Sequence, residues 1–287
     1  MDKQSKVYFW MAMPAFIIFF LFHTVPVLQG IMYSFTNYKG YGDYDFVGLK
    51  NYVNLFKDER IFASYGFTFK FAIVSTILVN VISLAIAMGL NAKIKFRNTL
   101  RAVFFIPNIL SVLIVGFIFN YLFAFFIPQI AEKMGIISLT QNILGNPDLA
   151  WIGIVIVAVW QAVAFNTILY LAGLQTIPTE LYEAASLDGA GKWKSFVHIT
   201  FPLIASFFTI NMVLAMKNFL MVFDHIVAMT NGGPGQATEA ISILIYKGGF
   251  QGGEFAYQAA NSVIYFIVIV IISVLQIKFL QKREVEM

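Results

Sequence analysis

The sequence predicts an all-α membrane protein with six transmembrane helices, and three observations carry that prediction. Hydrophobic residues make up 59% of the 287 positions and aromatics 17%, while charged residues are only 12%, about half the share usual in soluble proteins. A soluble fold of this size cannot hide so much apolar surface, and the 31 Phe and mean hydropathy of +0.77 agree. The second observation is a set of six uncharged runs, each near or above the ~20 residues that cross ~30 Å of hydrocarbon as helix. The third is the lack of alternation that a strand barrel requires: from Ile152 the chain reads Ile-Gly-Ile-Val-Ile-Val-Ala-Val-Trp.

Taken in order, the runs are Val7–Tyr38, Phe71–Ala92, Ala102–Ala131, Leu149–Thr179, Ile199–Met216 and Phe255–Ile277. An acid or Lys at a bilayer centre costs roughly 2.5–3.5 kcal/mol on insertion scales, which is why charge marks their ends. The fifth is the shortest, and Lys217 interrupts it before apolar residues resume to Phe223. The stretch Val7–Leu28 is too long for the apolar core of a secretory signal and lacks a small-residue cleavage site, so it is expected to remain as the first helix.

An even number of spans puts both termini on one side. With the N-terminus inside, eleven of the nineteen Lys and Arg fall on inner segments and seven on outer loops, and the cluster Lys93, Lys95, Arg97, Arg101 joins spans two and three. The positive-inside bias therefore predicts an N-in, C-in chain. The net charge of +4 and pI near 9.1 report this orientation, and no nucleic-acid partner is expected. The absence of Cys excludes a disulfide scaffold, a zinc-thiolate site and cysteine nucleophile chemistry. Residues 1–287 are read as a single membrane domain.

The loops carry further signals. Leu49–Ile61 in the first outer loop suits a short amphipathic helix, Gly145-Asn-Pro-Asp148 is a turn, and Thr230-Asn-Gly-Gly-Pro-Gly235 must be tight and non-helical. The inner loop 178–202, Pro-Thr-Glu-Leu-Tyr-Glu-Ala-Ala-Ser-Leu-Asp-Gly-Ala-Gly-Lys-Trp-Lys-Ser-Phe-Val-His-Ile-Thr-Phe-Pro, says most. Thr179 is a plausible N-cap, Glu180 and Glu183 sit near the positive end of the helix dipole, and Gly189 is placed to stop the helix in the left-handed conformation. A second short helix over about Lys192–Thr200 follows, so the loop reads as two helices joined at an elbow. Its small apolar centre, flanked by charge, suits insertion into a groove on another protein.

Glu183-Ala-Ala-x3-Gly189-x9-Ile199-x2-Pro202 resembles the EAA loop of binding-protein-dependent ABC importer permeases, with Phe201 where the family usually has Leu. Phe46-Val-Gly-Leu-Lys-Asn-Tyr52, Thr230-Asn-Gly-Gly-Pro234 and Tyr246-x3-Phe250 are similar to stretches of the sugar-permease branch, which has maltose-type and glycerol-phosphate-type members. The resemblance covers nearly the whole chain. It implies a type I ABC importer permease fold and half of a translocation pathway for a sugar, an oligosaccharide ahead of the alternatives glycerol 3-phosphate or a polyol. It also implies a second homologous permease subunit, two ATPase subunits that bind ATP and Mg, and an extracytoplasmic solute-binding protein, with no cofactor on this chain. Glu183, Ala184, Ala185, Asp188 and Gly189 would then dock into an ATPase subunit. Asn231, Gly232, Gly233 and Pro234 would meet the binding protein.

Polar residues inside spans face a bundle interior or a wet cavity. Trp160, Gln161, Phe165 and Asn166 in span four, and Asn211, Lys217, Asn218 and Phe219 in span five, form two such sets, and aromatic faces with amides suit sugar. Helix packing is the competing reading for each. Matching to maltose-type relatives points to Val159, Gln161, Ala162, Phe165, Ala215, Phe219 and Val222. Lys217 is expected to snorkel outward or pair with a partner's acid.

Rival functions find less support. Gly189-Ala-Gly-Lys-Trp-Lys-Ser has Ser186 and Trp193 where a phosphate-binding loop needs Gly and Ser or Thr, so the chain is not expected to bind ATP. His23, His198 and His225 show no metal spacing, and no serine nucleophile elbow occurs, which disfavours a membrane enzyme. A secondary carrier should show intramembrane carboxylates, and no span interior holds one.

Overall fold

The computed structural model describes residues 3–92 and 94–283; Asp2, Lys93, Glu284 and Glu286, which entered the charge balance, lie outside them. Among the described residues there are fifteen α-helices and no strand, with one antiparallel bridge between Thr36 and Phe46. Helix α1 (Lys3–Phe19) passes through a π-type turn, Phe20–Thr24, into α2 (Val25–Tyr33). The wider turn falls just before Pro26, which has no N–H to give to a helix ladder. After the short α3 (Lys50–Leu55), α4 (Glu59–Asn91) runs for 33 residues, so it begins twelve residues before the uncharged run does.

The third uncharged run is not one straight helix. It divides into α5 (Arg97–Ile109), α6 (Val112–Tyr121) and α7 (Ile127–Met134), with a π-type turn between the last two. Between α5 and α6 the backbone opens into an extended form, with ψ of 138° at Leu110 and 131° at Ser111. Charge counting cannot register such a break, because no charge accompanies it. Span four is α8 (Ala150–Gln175), unbroken.

The 178–202 loop contains α9 (Thr179–Leu187) and α10 (Lys192–Ser195), the latter continuing through a π-type turn into α11 (Phe201–Leu203). A bend of 70° at Ile204 leads into α12 (Ala205–Leu220). The remaining helices are α13 (Asp224–Met229), α14 (Ile241–Tyr246) and α15 (Phe255–Leu280). Among the described residues five segments are long and apolar enough to cross a membrane, and the bent pair around Ile204 makes up to six.

The helices gather into two compact units, one drawn from the chain up to Ile61 with Leu244–Ile267, the other from Phe62–Ile243 with the chain from Val268 onward. In the first, Asn51 donates both amide hydrogens to the carbonyls of Ser34 and Thr36, each at 2.8 Å, and the Tyr52 and Ser34 hydroxyls meet at 2.7 Å. The Phe46–Tyr52 stretch is thus a clasp on the end of α2. Tyr33, Tyr38, Tyr44 and Phe255 pack as an aromatic cluster beside it, and the Tyr257 hydroxyl donates to Asp58 at 2.9 Å.

The second unit has a core of Phe71, Val79, Val115, Ile154, Val157, Phe219, Leu220 and Ile226, all buried. A second cluster of Ala87, Leu90, Tyr170, Leu174, Ile177 and Ile204 joins the lower ends of α4, α8 and α12. Buried polar side chains mostly serve their own helix. Thr68, Asn80, Ser83, Asn166, Thr209 and Asn211 each donate to the carbonyl four residues earlier. The Tyr170 hydroxyl, donating to Asn80 Oδ1 at 2.6 Å, crosses between α8 and α4.

Candidate functional site: the 178–202 elbow, the polar spans and the 230–235 turn

The 178–202 loop folds as the elbow that its glycines predict. Pro178, not Thr179, takes the extended N-cap conformation, and no side chain caps the helix; Thr179 is its first residue. At the other end Gly189 has φ of +74°, with Ala190 N–H donating to Ala185 O at 2.8 Å and Gly189 N–H to Ser186 O at 3.1 Å. A residue with a Cβ resists that φ, which is why glycine ends the helix here. Glu183, Ala184, Asp188 and Gly189 are exposed and Ala185 is half-buried.

Two large apolar side chains stand out from this polar surface, Leu187 at 89% exposure and Trp193 at 74%. The base of the loop is anchored instead. Tyr182, Ile199 and Leu203 pack on the cluster of Ala87, Leu90, Leu174 and Ile177, and the Tyr182 and Thr200 hydroxyls meet at 2.9 Å. A handle with a buried root and an exposed apolar tip can transmit force from whatever grips the tip to α4, α8 and α12.

The polar residues of spans four and five divide by environment. Trp160 and Phe165 are each 41% exposed, Asn218 and Lys217 are also exposed, and Trp160 packs on Phe119 with ring centroids 5.4 Å apart. Gln161, Asn166, Asn211, Phe219 and Val222 are buried, as are Val159 and Ala215, with Ala162 half-buried. Phe219 meets Phe71 edge to face at 6.0 Å, and Asn166 is spent on Ala162 O at 2.8 Å. Gln161 donates to the carbonyls of Pro107 (3.2 Å) and Leu110 (2.8 Å), and its oxygen faces His225 Nε2 at 3.1 Å. Sequence reasoning had no use for His225 or Asn120; the available signal was Pro107 and Ser111 inside an otherwise uniform apolar run.

The 230–235 turn is built as its composition requires. Asn231, Gly232, Gly235 and Gln236 take positive φ, the Gly233–Pro234 peptide is cis, and the Thr238 hydroxyl donates to Gly233 O at 2.5 Å. Asn231, Gly235 and Gln236 are exposed, Gly233 and Pro234 are half-buried, and Gly232 is buried. Among the described residues no group of three or more His, Asp or Glu is close enough to hold a metal ion.

The described residues thus form an all-helical set of apolar spans with a jointed loop at 178–202 and a tight turn at 230–235, the make-up of a membrane-spanning component. Residues 80–284 match the family described as the binding-protein-dependent transport system inner membrane component, and the chain belongs to that family. Its place is therefore the inner membrane, as a transport component and not a catalyst. The chain is 36% identical, over the full length of both, to a probable starch degradation products transport system permease protein of Thermoanaerobacterium thermosulfurigenes. It is 39% identical to a multiple sugar-binding transport system permease protein of Streptococcus mutans, covering 94% of this chain and 92% of that one. A permease protein of an sn-glycerol-3-phosphate transport system of Yersinia pestis is 30% identical over 95% of this chain and 93% of its own. The fold matches a chain of a bacterial ABC transporter that imports alginate, with TM-score 0.84, 22% identity and coverage of 98% and 96%. It also matches that of an alginate transporter in complex with a periplasmic protein carrying an alginate pentasaccharide, with TM-score 0.82, 22% identity and coverage of 96% and 93%.

Proposed function

We propose that this chain is a permease subunit of an ATP-driven ABC importer for a sugar, more specifically an oligosaccharide. The observation that carries the reading is the handle: an exposed elbow tip on a root packed against three spans, in a chain of this family. It works with a second, homologous permease subunit, two ATPase subunits that bind ATP and Mg, and an extracytoplasmic solute-binding protein. Both the start of α1 and the end of α15 lie on the cytoplasmic side, as the Lys and Arg distribution supports, and the chain acts as one permease domain.

In this reading Glu183, Ala184, Ala185, Asp188 and Gly189 enter a groove on an ATPase subunit. Closure of the ATPase pair on ATP pulls the handle, and the spans open outward against the loaded binding protein, which meets Asn231, Gly232, Gly233 and Pro234. Trp160, Phe165 and Asn218 are offered to sugar, while Gln161, Asn166, Phe219 and Val222 hold the pathway's shape from within the bundle. Relatives named for starch degradation products and multiple sugars support an oligosaccharide over glycerol 3-phosphate. An anionic cargo would call for basic residues in the spans, and Lys217 stands alone in span five.

The test is uptake by the complete complex in vesicles, supplied with binding protein and a panel of mono- and oligosaccharides. ATP-dependent accumulation of an oligosaccharide is expected. Accumulation without nucleotide, or of no sugar in the panel, would refute the reading.

A further inference from the structure

We propose that Gln161 and His225 form a positioning linkage that fastens α13, and the 230–238 turn growing from it, to α8, the helix that runs directly into the coupling loop. The hydrogen bonds of Gln161 carry the argument. Its amide nitrogen has two hydrogens and both are used, on the Pro107 and Leu110 carbonyls. These carbonyls lie at the open break between α5 and α6, where helix continuation supplies them no N–H. Gln161 therefore closes the break in span three from a neighbouring helix.

The amide oxygen can only accept, so His225 Nε2, 3.1 Å away, must carry its proton and donate. His225 is the second residue of α13, so this bond holds that helix at its start. Its end is held from α6, where Asn120 Nδ2 donates to Met229 O at 2.5 Å. Between the two, Gly116 lets the helices approach so closely that a Cβ there would lie 2.5 Å from Ala228 Cβ. The short helix is thus fixed at both ends and along its length.

The turn continues α13 without slack. Thr230 and Asn231 N–H both donate to Ile226 O, at 2.9 and 2.7 Å, Gly233 N–H to Thr230 O at 2.9 Å, and the Thr230 and Thr238 hydroxyls meet at 2.8 Å. At the other end of α8, Gln175 is three residues from Pro178, where the handle starts. A displacement of α8 therefore acts on the span-three break and on the outer turn through one side chain. With both amide hydrogens of Gln161 engaged, a sugar could accept from it only by displacing one of these carbonyls.

This inference rests on the importer reading, whose own failure shows separately, as absence of ATP-dependent uptake by the wild-type complex. Coupling must be measured and not read from contiguity. The complete complex is assembled with Gln161→Ala, His225→Ala or His225→Gln, and with Ala237→Cys as a reporter in this otherwise cysteine-free chain. Initial uptake is measured across the sugar panel, along with the rate at which thiol reagents label position 237 with and without ATP. Gln161→Ala and His225→Ala are expected to lower the maximal uptake rate about tenfold or more, with KM within about twofold and the order of sugars unchanged. The nucleotide-dependent change in labelling should disappear in both, and His225→Gln, which keeps a donor, should restore at least part of it. A changed sugar order with an intact response at 237 would overturn the proposal and make Gln161 a sugar ligand. Wild-type uptake in both alanine variants would overturn it equally. If Gln161→Ala does not assemble, the His225→Ala and His225→Gln pair decides by the same readouts.

Discussion

The elbow at Gly189 gives a graded prediction whose size follows from backbone geometry. The residue has φ of +74°, and a Cβ built on it meets no atom within 4 Å. Substitution therefore costs nothing through collision and acts only through the backbone. An L-residue in the left-handed region costs roughly 1–2 kcal/mol, with β-branched side chains at the upper end and Asn near the bottom. At about 1.4 kcal/mol per tenfold, Gly189→Val lowers the equilibrium constant for forming the native elbow by roughly 30-fold, Gly189→Ala by roughly fivefold and Gly189→Asn by less. None of the three disturbs the packed root, so membrane insertion and chain yield should stay at the wild-type level. The assay is co-purification of the ATPase subunits with the tagged permease, followed by uptake. ATPase recovery and uptake should fall in the order Asn, Ala, Val. An equal loss in all three, or none in Val, would refute the argument that the left-handed backbone is what the loop requires.

Three further outcomes are expected. Gly116→Ala places a methyl group 2.5 Å from Ala228 Cβ, so it should destabilise the α6–α13 contact by about 1–3 kcal/mol, read as a lower melting temperature in detergent. Tyr170→Phe removes the 2.6 Å bond to Asn80 and leaves Asn80 Oδ1 unsatisfied between α8 and α4, costing about 1–3 kcal/mol by the same measurement, whereas a double change with Asn80→Leu should recover part of it. Asn51→Ala frees the Ser34 and Thr36 carbonyls from the clasp, and protease should cut the 37–50 segment faster while span insertion is unchanged.

Much of this architecture was legible because charge is expensive in lipid. Helical segments occupy all six uncharged runs, and the glycine elbow and the 230–235 turn lie where turn chemistry puts them. Three features were not legible, each for a physical reason. The α5–α6 break and the 70° bend at Ile204 bring no charge into the runs that hold them. The N-terminal extension of α4 carries charges, so a criterion built on their absence ends too early. The division of the polar span residues is a tertiary property: Gln161 and Trp160 are adjacent in sequence, yet one is locked among carbonyls and the other is exposed. Side-chain chemistry suited both to sugar, and only neighbours separate them.

The habit of Thr68, Asn80, Ser83, Asn166, Thr209 and Asn211 of returning a hydrogen to their own helix bears on biogenesis. A segment that returns part of its side-chain hydrogen bonding to its own backbone strands fewer donors in hydrocarbon when it leaves the translocon before its companions have been synthesised. The same self-sufficiency leaves later rearrangement among neighbours to be resisted mainly by dispersion forces, so two packings of one bundle can lie close in free energy.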